Sequence, residues 1–324
     1  MSGFDADWLA RREPFDVAAR DVALAQQFGA ALGDGPRRRR IVDLAAGTGA
    51  SFRALAPYVP GDQDWLMVDH DPLLIAAQAE ALSRWVQQRG WQCRVIGGGA
   101  RLKARASPLP RTEENPWFPP VASFPFGPGI EIDNGSARWR ARALQLDLAR
   151  ELDALDLAGC DGVTTTAFLD LVSAAWVDEL CGLIARTRVP ILAALTVDGR
   201  REWKPPFGAD TYMNDAFSRH QAREKGFGPS LGACAAAYVA NRLAHEGYDV
   251  ATARSDWRIG HSQRDMLLAM IEETAAVACE DERLEAARCV EWAQKRREQI
   301  GCGLSLTIGH LDLLACPRER VPAT

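Results

Sequence analysis

Four aspartates stand where a carboxylate is costly unless it has a task. Asp43 follows Ile41-Val42 in an apolar, β-branched run and precedes Leu44-Ala45-Ala46-Gly47-Thr48-Gly49-Ala50. The pattern reads as a buried strand, a tight small-residue turn and a helix starting at Ser51. Such a turn lets backbone approach a nucleotide-like ligand closely. A carboxylate at the strand end would repel a pyrophosphate but would hold a ligand bearing an α-amino group. Asp69 closes a second strand, Asp64–Asp69, 20 residues beyond Gly49, and is placed to accept the ribose hydroxyls of an adenosine. Asp71, before Pro72, reads instead as a helix N-cap. Asp147 follows a third run, Arg140–Leu146, as a ligand group or as the N-cap of a short helix, Ala149–Leu155. Asp170 comes shortly after a fourth strand, Gly162–Thr166, facing a pocket or the helix Leu171–Arg186. His220 has the unperturbed pKa suited to taking a proton near neutrality.

The elements that must position these groups alternate strand and helix. Residues 4–33 have helical apolar spacing broken at Pro14, and form a helical segment lying against the sheet. Gly33-Asp34-Gly35-Pro36 ends it, and Arg37–Arg40 reads as a solvated turn. A helix over Pro72–Arg89 stops at Gly90. Residues 91–136 hold Gly97-Gly98-Gly99 and a proline- and aromatic-rich stretch that is neither helix nor central strand. Asn134-Gly135 between Gly129–Asp133 and Ser136–Leu146 signals a hairpin, adding an antiparallel strand to the sheet edge. The Pro/aromatic loop (104–129) is a self-packed surface loop or a homodimer contact. A fifth strand, Val189–Val197, turns at Asp198-Gly199-Arg200. The long connection 198–229 leaves a strand's carboxyl end and must lie over the ligand face. It carries a helix over Asp210–Glu224 with Gly226 as its stop, and suits a lid or a cap packed for stability. A helix over Ser230–Glu246, a strand over Tyr248–Ala253, helices over Arg264–Val277 and Asp281–Gln299 and a strand over Leu304–Leu314 complete the chain. His310 in that last run reads as a core histidine.

The chain has 324 residues and a net charge of −5, which disfavours nucleic acid as partner. Its eight cysteines show no Cys-x-x-Cys pair, so neither a disulfide framework nor a metal site is indicated. No apolar stretch resembles a signal peptide or a membrane span. The expectation is a reduced, cytoplasmic protein.

Asp43, Ala45, Gly47, Gly49, Asp69 and Asp147, taken in order, resemble the cofactor motifs of the class I S-adenosylmethionine-dependent methyltransferases, with Ala45 where that family commonly has glycine. Trp8–Arg20 and Phe217–Gly232 are also similar to stretches of a bacterial subgroup of that family. The resemblance implies an α/β fold: a Rossmann-like seven-stranded sheet, order 3-2-1-4-5-7-6, last strand antiparallel, helices on both faces. To this the chain adds the edge hairpin insert (91–139), the helical cap (198–229) and the segment 1–40 before a domain over 41–324. It further implies S-adenosyl-L-methionine as cofactor. Asp43, Ala45, Gly47 and Gly49 would lie near the methionine, Asp69 with His70 beside the ribose, Asp147 and the Leu148 amide at the adenine, and Thr165 near the sulfonium. No Asn/Asp-Pro-Pro-aromatic motif follows the fourth strand, which counts against adenine or glutamine as acceptor. A small-molecule acceptor is expected, with Trp203, Tyr212 and Trp257 suggesting an apolar or planar one, and His220 then Asp170 as proton acceptors. Two other readings stand beside it: a non-catalytic S-adenosylmethionine-binding subunit, and an NAD-dependent oxidoreductase, whose fingerprint would need a third glycine where Phe52 stands.

Overall fold

The computed structural model describes residues 5–96 and 126–319. Two helices come first, α1 (Ala6–Ala19) and α2 (Val22–Ala31), then β1 (Arg39–Leu44), α3 (Ala50–Leu55), β2 (Gln63–Asp69) and α4 (Pro72–Gln88). Strands β3 (Gln92–Ile96), β4 (Phe126–Asp133), β5 (Arg138–Gln145) and β6 (Gly162–Thr166) follow, then α5 (Ala174–Thr187) and β7 (Ile191–Lys204). The remainder is α6 (Asp210–Gln221), α7 (Ala235–His245), β8 (Tyr248–Arg254), β9 (Trp257–Ile259), α8 (Arg264–Cys279), α9 (Ala286–Ile300) and β10 (Ser305–Pro317). Among the described residues, no helix is long and apolar enough to cross a membrane.

The sheet runs β3-β4-β5-β2-β1-β6-β7-β10-β8, with β9 paired to β10. Its inner part, β5-β2-β1-β6-β7-β10-β8, carries the expected seven-strand order, and β10 is antiparallel to both neighbours. The full order differs from a plain seven-stranded sheet by three added strands. Two of these extend the β5 edge. β4 and β5 pair antiparallel through the Asn134-Gly135 turn, where the Asn134 side chain accepts from the amides of Ser136 (2.9 Å) and Ala137 (2.8 Å). The outermost, β3, lay in the stretch that had no strand assigned to it. The Gly97–Gly99 run and most of the Pro/aromatic loop lie outside the described residues.

Other expectations need correcting. Pro14 does not break the first helix; α1 runs through it. The carbonyl its missing N–H would have met belongs to exposed Ala10, so water can satisfy it. The break falls at Arg20-Asp21, where Asp21 caps α2 by accepting from the Leu24 amide at 2.8 Å. No α-helix covers Ala149–Leu155, only turns and a short 3-10 segment at Leu152–Ala154. The helix expected from Leu171 starts at Ala174, because Ser173 accepts from the Trp176 amide and caps it. Strand β7 does not end at Val197. After a bulge at Asp198–Arg200 it continues to Lys204, still paired with β10, as an arm extending beyond its pairing with β6. Helix α6 stops at Gln221 rather than Glu224.

Alternation along β1 sends Val42 and Leu44 to one face of the sheet, with α5 and α7, and Ile41 to the other, with Phe28 of α2, Phe52 of α3 and Leu82 of α4. A third core lies under the arm, where Trp203, Met213, Leu267 and Trp292 pack.

Candidate functional site

Period-two alternation puts Asp43 on the same face as Ile41, so its carboxylate enters the interior. It is fully buried between β2 and β6. One oxygen accepts from Thr164 Oγ1 at 2.8 Å; the other, Oδ2, has no hydrogen-bond partner. Burial pushes its pKa up to about 7, against the opposing pull of the Thr164 and Ser51 hydroxyls and of the Arg20 charge. Beyond Leu44 the chain turns through positive φ at Ala45 (52°), Gly47 (54°) and Gly49 (85°). Alanine at the first of these costs about 1–2 kcal/mol in left-handed strain. The Gly49 amide donates to the Ala46 carbonyl at 2.8 Å, and Gln78 of α4 holds the Gly47 carbonyl at 2.8 Å.

Asp69, at the end of β2, accepts from the Gly47 amide (2.7 Å) and the Asp71 amide (3.0 Å). A carboxylate offers about four acceptor positions, so capacity for hydroxyls remains. Asp71 caps α4 through the Leu73 amide. The His70 side chain is 75% exposed, its Nδ1 3.6 Å from Asp69 Oδ1. Past the end of β5, Asp147 is half-exposed; its Oδ1 accepts from the Ala149 amide at 3.0 Å and its own amide donates to Glu151 at 3.1 Å. Leu148 is buried, its carbonyl accepting from Trp176 Nε1 at 2.6 Å. The strand order β5-β2-β1 thus puts Asp69 and Asp43 on, and Asp147 just past, consecutive parallel strands spaced about 4.8 Å apart, at one edge. Thr165 faces away from them. It is buried, and its hydroxyl donates to the Leu44 carbonyl at 3.0 Å. Thr164 and Thr166 are the residues of that strand that share a face with Asp43.

What the sequence reading missed is the underside of α1. Leu9 lies against the turn, its Cδ1 3.0 Å from where a Cβ on Gly47 would stand. The Glu13 carboxylate takes both Nε (2.6 Å) and Nη2 (2.7 Å) of Arg53 on α3, and Arg53 also holds the Thr48 carbonyl. Asp16 is paired with Arg12 and accepts from Trp257 Nε1 at 3.0 Å. Just past the helix, Arg20 donates to Thr166 Oγ1 at 2.9 Å, and Thr166 also meets Ser51 Oγ. The Nε and Nη1 groups of Arg20 are buried without partners. So α1 is not laid flat on the sheet; it straps the ligand edge. A signal existed. Arg12, Asp16 and Arg20 recur at helical spacing and turn inward, while apolar Val17 is 57% exposed.

On the cap side, Asp170 sits in a 3-10 turn after β6, buried, with Oδ1 unpartnered. Burial raises its pKa despite the positive charges of Lys225 and Arg12. His220, near the end of α6, is 31% exposed and faces Glu280 at 3.6 Å; burial lowers its pKa. The aromatics expected to line a pocket lie elsewhere. Trp203 stacks edge-on against Trp292, Trp257 packs between Phe15 and His310 beneath Arg12, and Tyr212 is exposed on an outer cleft of about 210 Å³ with Phe207 and Met213. His310 is buried, its pKa pushed down to about 4 by burial, with Nδ1 against the Ile308 carbonyl.

No family model and no curated protein matches this chain. Among solved structures it is similar to two of Haemonchus contortus phosphoethanolamine N-methyltransferase 2, with 9% identity, TM-scores of 0.40 and 0.42, and 97% and 98% of this chain covered. It spans 57% and 58% of those chains, little more than half their length. It is also similar to the Mycobacterium tuberculosis cyclopropane synthase MmaA2, at 10% identity, TM-score 0.39, and coverage of 91% of this chain and 83% of that one. A putative sarcosine dimethylglycine methyltransferase from Galdieria sulphuraria gives 12% identity, TM-score 0.37, and coverage of 95% and 86%. These are distant likenesses of overall fold.

Proposed function

We propose that the chain binds S-adenosyl-L-methionine across the ends of β1, β2 and β5 and transfers its methyl group to a small-molecule acceptor beneath the cap. One observation carries this reading. A buried carboxylate oxygen without a partner, Asp43 Oδ2, stands close enough to Arg20 for their charges to act on each other, and Arg20 has two buried N–H groups without partners. Each such group costs about 1–3 kcal/mol while unsatisfied. A ligand with an ammonium and a carboxylate on one carbon answers both, and the amino-acid end of that cofactor is such a group.

In this reading Asp43 holds the amino group and Arg20 the carboxylate. Ala45, Gly47 and Gly49 give backbone access, Asp69 with His70 nearby takes the ribose, and Asp147 with the Leu148 amide takes the adenine. Thr165 supports the recess from behind, through its bond to Leu44. When bound, the cofactor supplies a methyl already activated by its sulfonium. The chain's part is to hold the acceptor in line with it, which can contribute roughly 7–11 kcal/mol, and to exclude water with α1 and α6. A proton acceptor adds about 10²–10⁴-fold. Asp170 is our first candidate for that role, since its free oxygen is buried at the sheet end, and His220 the second.

Calorimetry with S-adenosylhomocysteine tests the binding half, and labelled S-adenosylmethionine with candidate acceptors tests the transfer. Binding without turnover would favour a non-catalytic subunit. Tighter uptake of a nicotinamide dinucleotide would overturn the proposal.

A further inference from the structure

Helix α8 ends at Cys279, where the chain turns. The Glu280 and Asp281 amides donate to the Val277 and Ala278 carbonyls at 3.2 and 3.1 Å, and the Leu284 amide donates to the Asp281 carbonyl at 2.9 Å. Helix α9 follows from Ala286 and packs back against α8. Small buried side chains, Ala278 on α8 with Cys289 and Ala293 on α9, share the core under the arm. The packing brings together two thiols that are ten positions apart in the sequence. Cys279 is exposed and Cys289 fully buried, and the two lie close enough to act on each other by a side-chain hydrogen bond and by charge. Burial, with the neighbouring thiol adding to it, pushes the Cys289 pKa up to about 11. Cys289 is therefore a thiol near neutrality, and a reagent arriving from solvent meets Cys279 first.

The segment between the two cysteines also holds the cap. Asp281 accepts from Arg219 Nε at 2.7 Å and Glu280 from Arg223 Nη1 at 2.6 Å, with His220 Nε2 3.6 Å from the same glutamate. The end of α6 is thus moored to the two residues that follow Cys279. Two thiols in contact must come closer still to bond. A bond between them draws the end of α8 toward α9 and fixes the turn to which α6 is tied.

We infer that Cys279 and Cys289 form a dithiol modification site that takes a low-molecular-weight disulfide of the glutathione class as oxidant, and that its oxidation locks the mooring of α6. The Cys279 thiolate attacks one sulfur of the oxidant. That S–S bond breaks, one small thiolate leaves, and a mixed disulfide forms on Cys279. Cys289 then gives its proton to solvent and its sulfur attacks Cys279 Sγ. The intramolecular S–S bond forms and the second small thiolate leaves, so one disulfide is reduced to two thiols while two cysteines are oxidised to one disulfide. The raised pKa of Cys289 makes the second step the slow one. None of this depends on S-adenosylmethionine binding.

The test exposes the full reduced chain to glutathione disulfide under native conditions and maps the products by peptide mass. Wild type should yield a Cys279–Cys289 disulfide that dithiothreitol reverses, while exposed Cys234 and Cys302 carry single glutathione adducts. Cys289→Ser should stop at the mixed disulfide on Cys279, and Cys279→Ser should leave Cys289 unmodified. Cys289→Ala, which buries no hydroxyl, serves if the serine variant fails to fold. On oxidation, amide exchange in wild type should slow about tenfold or more in α6 as well as in α8 and α9, and Cys289→Ser should show no such slowing. A mixed disulfide that persists on wild-type Cys279, or pairing of Cys279 with any cysteine other than Cys289, would overturn the inference. So would a Cys279–Cys289 bond that leaves the exchange of α6 unchanged.

Discussion

Glu13 and Arg53 form a two-pronged ion pair, 2.6 and 2.7 Å, that fastens the first helix of the chain to the helix following the glycine turn. The arginine is buried and the glutamate partly exposed, so the pair is shielded from salt better than most surface pairs. It fixes where α1 lies, and hence the roof over Gly47.

Glu13→Gln should loosen that roof at modest cost to the whole fold, about 1–2 kcal/mol, on the scale of a charge-assisted hydrogen bond. Amide exchange should quicken across Ala6–Ala19 while the β1 and β6 amides stay protected. S-adenosylhomocysteine affinity should drop about tenfold. Unchanged exchange in α1 would show that the apolar contacts of Trp8 and Phe15 suffice.

Arg20→Met should cost at least tenfold in the same affinity, or about 1.4 kcal/mol. Arg20→Lys should recover little, because a single ammonium cannot hold Thr166 and a carboxylate in the fork geometry that guanidinium allows. Because Arg20→Met also removes the Thr166 bond and the charge acting on Asp16, Asp43 and Asp312, the variant without ligand should melt below wild type.

Asp43 gives the pH dependence its sign. Its pKa rises from 3.8 to about 7 on folding, so between these values the folded chain keeps a proton the unfolded chain has lost. Stability from this group therefore falls as pH rises from about 4 to 7 and levels off above. The three-unit shift corresponds to roughly 4 kcal/mol at most. Asp43→Asn should flatten that slope, raise the melting temperature at pH 8 and abolish S-adenosylhomocysteine binding. In wild type, binding at pH 6 should release a proton, seen as a dependence of the calorimetric heat on buffer ionisation, and affinity should rise towards pH 7.

Gly47→Ala places a side chain at φ 54° and a Cβ 3.0 Å from Leu9 Cδ1. The backbone term should cost about 1–2 kcal/mol in thermal stability. Adding Leu9→Ala should relieve the contact with α1 but not the backbone strain, so the double variant should regain only part of the lost ligand affinity.

If Asp170 accepts the proton, Asp170→Asn should lower turnover by about 10²-fold or more with S-adenosylhomocysteine affinity kept, and His220→Ala should stay within a few-fold across about pH 6–9. The opposite ranking would give the role to the imidazole, beside Glu280 at the outer end of α6.

Local patterns carried much of this molecule. The strand Gly162–Thr166 has the bounds read from its sequence, and Asp71 caps its helix as expected, because both follow from neighbouring residues. Period two also makes Thr164 and Thr166, not Thr165, the partners of Asp43's face, a step the sequence allows once the strand is known. Other features lay beyond it. Arg20 meets Thr166 across 146 positions and Asp21 meets Asp312 across 291, and nothing local encodes such encounters. The arm of β7 was hidden because Asp198-Gly199-Arg200 looks like a turn; it is a bulge, held in register by β10. Trp203 and Trp257 drew attention as pocket walls, yet indoles most often bury area, and here they do so against Trp292 and Phe15.

The strap over the ligand edge has a consequence for biosynthesis. Its anchors Arg53, Thr166 and Trp257 lie 40, 146 and 241 positions after Glu13, Arg20 and Asp16. At about 5–20 residues per second, the last of them is translated roughly 10–50 s after the helix. During that interval residues 6–19 have only their early anchors at Gly47 and Arg53. The helix's one fully buried residue is an aspartate, and Trp8, Leu9 and Phe15 stay only partly covered even when docked, so the wait exposes little added apolar surface. The nascent sheet can therefore assemble before its active edge is closed.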